Sequence, residues 1–170
     1  LALRADGTVV EWGAYEVNGT PPMVTAPVAL SDVVGVAAGH YHSVVLKSDG
    51  TVSAWGLNDS GQATPPAGLS DIVWVGAGYG TSVALRSDGK VFAWGYNESG
   101  RATVPEDLMD VVALNVGPRH AIARKADGAM VVWGALTYGI GAPPVMSGFK
   151  AVASGEDRSL VLKDDGTAVP

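Results

Sequence analysis

Residues that commonly carry chemistry are few in this sequence. His40 and His42 lie two residues apart, so one face of a strand could present both imidazoles to a metal ion. A protein metal site of this kind needs about four ligands, and no carboxylate or third histidine recurs beside the pair. The sequence therefore predicts no metal centre and no bound cofactor.

No catalytic set can be assembled from the remaining polar residues. Ser43, Ser82 and Ser159 occupy one recurring position, and a residue that recurs around a repeat is more often structural than catalytic. A nucleophile needs a base and a group that orients the base, and neither follows these serines at a regular spacing. The sequence contains no cysteine, which excludes disulfides and thiolate chemistry. We expect no enzymatic activity, with an enzyme whose site lies at the mouth of the fold as the open alternative.

Charge and hydropathy exclude further classes of function. The 170 residues are 47% hydrophobic, enough for a sizeable core, and the net charge is −6 with a pI near 4.8. An acidic chain without a basic run is not expected to bind nucleic acid or an anionic membrane. Because no apolar stretch reaches about 18 residues, no membrane span is expected either.

A β-hairpin pattern recurs through the whole chain. It is clearest in SVVLKSDGTVSAWG, residues 43–56, where two mostly apolar runs flank an Asp-Gly pair. Asp-Gly favours a tight two-residue type I′ turn, in which both residues have positive φ angles. The turns recur at spacings of 43, 39, 39 and 38 residues. They are Asp6-Gly7, Asp49-Gly50, Asp88-Gly89, Asp127-Gly128 and Asp165-Gly166, and Trp12-Gly13, Trp55-Gly56, Trp94-Gly95 and Trp133-Gly134 close the first four hairpins.

A period of this size predicts a repeat architecture. Each period reads as four strands, the last being a short edge strand at Ala63–Pro66, because proline cannot donate to a ladder. Sheets of this kind bury their faces by stacking, which predicts an all-β fold, a β-propeller of four-stranded blades of about 39 residues. A linear β-solenoid is the competing fold. The predicted units are a partial blade one at 1–30, blade two at 31–69, blade three at 70–108, blade four at 109–146 and a partial blade five at 147–170.

The order of strands from axis to rim follows from side-chain size. The Ala- and Gly-rich strands Val33–Gly39, Val73–Gly78 and Val112–Gly117 should lie nearest the axis, where strands crowd together. The recurring tryptophans should pack between blades, and His42 and His120 should hydrogen-bond the backbone. With three complete periods, we expect either an excerpt of a longer propeller or a subunit that self-associates through open blade edges.

The repeat resembles a known family. Residues 37–66 read AAGHYHSVVLKSDGTVSAWGLNDSGQATPP, and residues 93–105 read AWGYNESGRATVP. Both are similar to the repeat of regulator-of-chromosome-condensation propellers, in particular the bacterial group that includes a propeller-type β-lactamase inhibitor protein. The resemblance implies a seven-bladed propeller, an extracellular or periplasmic location, and binding through loops on one face. No residue here matches a nucleotide-exchange or chromatin-binding site.

Three residues depart from the repeat at positions where the other repeats agree. Trp74 stands where the others have Gly35, Ala113 and Ala151. Arg124 stands where they have Leu46, Leu85 and Leu162, and Asn115 replaces Ala37, Gly76 and Ala153. An arginine in a half-buried strand needs a partner or an exposed edge.

Strand direction predicts the working surface. Because consecutive strands run antiparallel, the first and third turns of every blade share one face, named here the corner face, and the Asp-Gly turns share the other with the inter-blade links. The corner face varies between repeats and is rich in tyrosine, a usual anchor of protein interfaces. We expect it to bind a protein or glycan. The predicted binding residues are Tyr15, Glu16, His40, Tyr41, Asn58, Asp59, Tyr79, Asn97, Glu98, Pro118, Arg119, Tyr138, Glu156 and Asp157.

Overall fold

The structure, a computed structural model, describes residues 1–12, 26–27, 30–136, 149–156 and 158–169. These residues form short strands and a single three-residue 3₁₀ turn at Glu98–Gly100. The strands are β1 (Ala2–Leu3), β2 (Val9–Val10), β3 (Val33–Ala38), β4 (His42–Lys47), β5 (Val52–Gly56), β6 (Ile72–Ala77), β7 (Thr81–Arg86), β8 (Val91–Gly95), β9 (Val111–Val116), β10 (His120–Lys125), β11 (Met130–Gly134), β12 (Phe149–Ser154), β13 (Ser159–Lys163) and β14 (Ala168–Val169). No helix in this part of the chain is long and apolar enough to cross a membrane.

Each of blades two to five contributes a three-stranded antiparallel sheet, and blade one contributes the pair β1-β2. The fourth strand predicted in each blade does not form where the structure describes it. Ala63–Pro66 is a turn, in which Thr64 N donates to Gly61 O at 3.0 Å and Ala63 N donates to the Asn58 carboxamide oxygen at 2.8 Å. These local bonds already use the donors of the segment, and its two prolines have none to offer a ladder.

The hairpin turn also differs from the predicted two-residue type. Gly50 has φ +79°, whereas Asp49 is not among the residues with positive φ. Gly50 N donates to Lys47 O at 3.0 Å and Lys47 N to Thr51 O at 2.9 Å. This is a type I turn followed by a glycine bulge. Asp49 accepts hydrogen bonds from the Thr51 hydroxyl at 2.6 Å and from Thr51 N at 2.9 Å, which lowers the pKa of the Asp49 carboxyl.

The first strand of each sheet lies against the first strand of the next. β3 contacts β6, β6 contacts β9, and β9 contacts β12. This convergence confirms that the Ala- and Gly-rich strands run closest together. A one-residue bulge interrupts these strands, since Val33 pairs with Lys47 but Gly35 pairs with Leu46. The bulged valines point to solvent, with Val73 54% and Val112 50% exposed.

The core lies between blades. Val44 and Leu46 of blade two pack with Ile72, Val75 and Trp94 of blade three. The tryptophans that close blades two, three and four are buried as predicted, at 8%, 7% and 4% exposure for Trp55, Trp94 and Trp133.

Trp12 is an exception to the prediction, because it is 66% exposed. Each buried tryptophan packs towards the preceding blade, as the bonds from Trp55 to Glu11 and from Trp94 to Gln62 show. No described blade precedes blade one. In blade five, Leu160 is 48% exposed, while the equivalent Val83 of blade three is fully buried.

Candidate functional site

The first and third turns of each blade meet at one edge of the sheet. His42 pairs with Gly56 at the ends of β4 and β5, and Leu57 N donates to Tyr41 O at 2.8 Å. At the opposite edge, the Asp-Gly turn contacts the next inter-blade link through Ile72 N and Gly50 O, 3.1 Å apart. The assignment of turns to two faces is therefore confirmed for the blades described.

The first turns of neighbouring blades are bonded directly to one another. His40 N donates to Gly78 O at 3.1 Å, and Tyr79 N donates to Pro118 O at 3.1 Å. A Cβ atom on Gly39 would lie 2.8 Å from Gly78 O, so only glycine allows this approach. The corner face is thus a continuous, backbone-linked rim across blades two to four.

Three aromatic side chains from two blades pack together on this rim. The His40 ring stacks on the Tyr79 ring with centroids 4.7 Å apart and an interplanar angle of 21°. Tyr41 meets His40 edge to face at 3.9 Å and Tyr79 at 5.8 Å. Tyr79 is 45% exposed. We call His40, Tyr41 and Tyr79 the aromatic cluster.

A second contact between blades on the corner face is ionic. Arg119 of blade four donates to the Glu156 carboxylate of blade five at 3.0 Å. Both side chains are substantially exposed, so this ion pair contributes little to stability. It joins the first turns of blades four and five through their side chains.

Two of the predicted binding residues hold loops in place. The Asn58 side chain accepts from Ala63 N at 2.8 Å and donates to the Thr64 hydroxyl at 2.9 Å. Asn97 repeats the arrangement in blade three with Ala102 N at 2.8 Å. Their neighbours Asp59 and Glu98 are exposed carboxylates. The predicted residues Tyr15, Glu16, Tyr138 and Asp157 lie outside the described residues.

Tyr96 and Arg101 are corner-face residues that the sequence did not single out for binding. The Arg101 guanidinium lies 5.4 Å from the centre of the Tyr96 ring, a cation–π distance. Tyr96 N donates to Gly80 O at 2.8 Å, which places the pair beside the first turn of blade three. The sequence signal for this pair is Arg101, which stands at the repeat position where blade two has Gln62.

The recurring histidine bonds to the next blade, not to the backbone as predicted. His42 Nε2 lies 2.9 Å from Ser82 Oγ, and His120 Nε2 lies 2.7 Å from Ser159 Oγ. Because the Ser82 hydroxyl donates to Gln62 O at 2.8 Å, the neutral His42 ring must donate from Nε2. Burial of the ring lowers the pKa of His42 to about 4.

In blades two and three, the tryptophan and the serine share an acceptor on the preceding blade. Glu11 accepts from the Trp55 indole at 3.1 Å and from the Ser43 hydroxyl at 3.0 Å. In the next interface, Gln62 O accepts from the Trp94 indole at 3.0 Å. The recurring serine and histidine therefore hold blades together, and this explains their repetition without catalysis.

This arrangement of hairpin, inter-blade histidine–serine bond and buried tryptophan can be compared with known proteins. The family described as regulator of chromosome condensation (RCC1) repeat matches residues 33–62 and 72–101. Blades two and three are therefore similar to RCC1 repeats. The bacterial grouping, the secreted location and the likeness to an inhibitor stay predictions.

Solved structures with low sequence identity share the fold. Prp20p from Saccharomyces cerevisiae superimposes with a TM-score of 0.68 at 21% identity, over 92% of this chain and 52% of that one. The ectodomain of the Physcomitrella patens receptor kinase CR4 has a TM-score of 0.69 at 20% identity, over 81% of this chain and 40% of that one. The protein Pim1 of Schizosaccharomyces pombe is 34% identical over 68 residues, 34% of this chain and 13% of Pim1. The chain thus spans about half the length of Prp20p.

The buried histidine of the RCC1-type repeat predicts a dependence of stability on pH. His42 takes up a proton near its ordinary pKa of 6.5 when unfolded, but only at about 4 when folded. Its contribution is therefore fully present above pH 6.5 and is lost as pH falls towards 4, at about 1.4 kcal/mol per pH unit. Urea unfolding at pH 7 and pH 5 should show a loss of about 2 kcal/mol from this residue.

Two variants isolate the histidine in that experiment. His42→Gln cannot titrate, so its loss of stability between pH 7 and pH 5 should be smaller than that of the parent chain. The control is His40→Gln, which removes an exposed imidazole. Equal pH dependence in the parent and in His42→Gln would contradict the assignment.

Proposed function

We propose that this chain contributes a non-catalytic, protein-binding surface, with the aromatic cluster at its centre. The observation that carries the proposal is the packing of His40, Tyr41 and Tyr79, ring against ring, on a rim where Tyr79 is 45% exposed. Tyrosine is among the residues most enriched at the energetic centres of interfaces. Rings already ordered by their neighbours lose little side-chain freedom on binding, which favours affinity.

The surroundings of the cluster favour a basic protein surface as the partner. Asp59 and Glu98 are exposed carboxylates on the same face, and the chain carries a net charge of −6. Complementary charge raises the association rate and selects against acidic partners. Arg119, positioned by Glu156, adds a second anchor of a type common in interfaces. A glycan is the alternative partner.

The relatives support a protein partner at a coarse level. Prp20p is described together with its binding to Gsp1p and histones, and in another structure it is bound to Kap60. Those partners belong to Prp20p, of which the matching region is about half.

A photo-crosslinking experiment tests which face binds. A benzophenone amino acid placed at Tyr79 should capture a partner from an extract of the source cells. The same group at Asp88, in an Asp-Gly turn on the opposite face, should not capture that partner. Capture from Asp88 alone would contradict the proposed face.

Alanine variants then test the cluster against the captured partner. Tyr41→Ala and Tyr79→Ala should each weaken binding by about 1–3 kcal/mol, measured by titration calorimetry. Met109→Ala is the matched control, since Met109 is 63% exposed beside an inter-blade link. Urea unfolding of each variant shows that the fold is retained, and parent affinity in the double variant would refute the proposal.

A further inference from the structure

Three departures from the repeat converge on one cleft between blades four and five. Arg124 stands at the position of Leu85, Asn115 at that of Gly76, and Lys150 at that of Val112. All three residues line the same cleft, together with Ile122 and Val152. They lie 9 and 26 residues apart along the chain, so only the fold brings them together.

The strand register places the blade-four residues on one face of their sheet. Arg124 pairs with Ala113 and Ile122 pairs with Asn115 across the ladder between β10 and β9. Paired residues on antiparallel strands, and residues two apart on one strand, point to the same side. Lys150 of β12 is exposed and lies at the edge of the cleft. The cleft is partly open to solvent and has a volume of about 40 Å³.

The corresponding interface one blade earlier is closed by apolar side chains. There Leu85 is 6% exposed and packs with Val111 and Trp133. In the cleft, neither Arg124 nor Lys150 forms an ion pair or side-chain hydrogen bond with a described residue. The half-buried Arg124 and the exposed Lys150 thus border one cleft without a counter-charge from the described part of the chain.

A buried polar atom in the cleft also lacks a partner. Asn115 Oδ1 is shielded from solvent and accepts no hydrogen bond among the described residues. The two ends of a carboxamide are assigned from their hydrogen bonds, so a half-turn of this side chain would place the NH₂ group there as a donor. A guanidinium, an ammonium and an amide donor form a set that an anion can satisfy.

We propose that this cleft binds a small oxyanion of the phosphate or carboxylate class. The planar fork of Arg124 matches two oxygens of such an anion, and Lys150 adds a compact positive charge. The Asn115 amide donates the remaining hydrogen bond. This site is separate from the aromatic cluster, because Arg124 lies at the end of β10 that leads into the Asp-Gly turn at Asp127, away from the corner face.

Amide NMR spectra of the ¹⁵N-labelled chain test the proposal with inorganic phosphate as the probe. We expect saturable shifts in residues 113–115, 122–124 and 150–152, measured at constant ionic strength against sodium chloride. A parallel titration with acetate separates phosphate from carboxylate as the preferred anion. Shifts that grow linearly without saturation for both anions, or that lie outside these residues, would overturn the proposal.

Variants that restore the repeat residue provide the decisive comparison. Arg124→Leu and Lys150→Val introduce the side chains that other blades carry, so both should fold, which circular dichroism checks. Arg124→Leu should weaken phosphate binding at least tenfold, and Lys150→Val severalfold. Lys47→Ala removes one positive charge from blade two and should leave the affinity unchanged. Parent affinity in Arg124→Leu, or an equal loss in Lys47→Ala, would contradict the site.

Discussion

Replacement of Gly95 by alanine is expected to destabilise the chain by about 3 kcal/mol or more. Gly95 has φ +101°, and a Cβ atom there would lie 2.5 Å from Gly80 O and 2.9 Å from the Cα atom of Gln62. These are backbone atoms of the same blade and of the preceding one, so no side chain can swing away to make room. The strain would act next to Trp94, at the interface between blades two and three.

Gly61→Ala is the matched control for this prediction. Gly61 also has a positive φ, +81°, but nothing lies within 4 Å of its added Cβ. Only the backbone preference is lost there, which costs about 1 kcal/mol. Urea unfolding of both variants measures the difference, and equal destabilisation would show that the contacts around Gly95 relax freely.

Trp94→Ala is expected to cost about 3–5 kcal/mol, a typical value for removal of a buried tryptophan side chain. Trp94 is 7% exposed and packs between blades two and three with Val44 and Val75. The variant also removes the indole donor from Gln62 O, 3.0 Å away. In the described part of the chain each blade packs against its neighbours, so loss of this interface should uncouple blade two from blade three.

Trp12→Ala is the control for the tryptophan prediction. Trp12 occupies the same repeat position but is 66% exposed, so its replacement should change stability by less than about 0.5 kcal/mol. Urea unfolding followed by circular dichroism at 218 nm, a wavelength characteristic of β-sheet, measures both variants. Similar losses for the two would mean that burial does not determine the role of this position.

Both predictions concern the backbone and side-chain bonds that join blades. The same junctions position the surface proposed to bind a partner, because His40 N bonds to Gly78 O directly behind the aromatic cluster. A variant that loosens the junction should therefore impair binding indirectly. For this reason the tyrosine variants, which leave the junction intact, are the more specific test of function.

Several features of the protein follow from the sequence alone, because they depend on local rules. Asp-Gly between apolar runs predicts a hairpin wherever it occurs, and the alternation of strand direction then places the turns on two faces without knowledge of any contact. Burial of Trp55, Trp94 and Trp133 follows from their recurrence in a fold whose units bury only one another. The sequence did not predict the turn type correctly, because a type I turn followed by glycine competes closely with the type I′ turn. It also did not predict the loss of the fourth strand, because the Asn58 side chain binds a backbone donor of that segment.

Only the tertiary structure decided which residues from different blades meet. His40 and Tyr79 stack at 4.7 Å although 39 positions separate them, and the repeat pattern assigns no contact to either. The stacking of one blade on the next brings Glu11 to the Trp55 indole as its acceptor. It also places Arg124 and Lys150 at the same cleft. Such contacts depend on the angle and the distance between neighbouring sheets. Both are determined by the packing of all the side chains between those sheets. Local sequence carries no signal for that geometry, so the site emerges only when the blades are assembled.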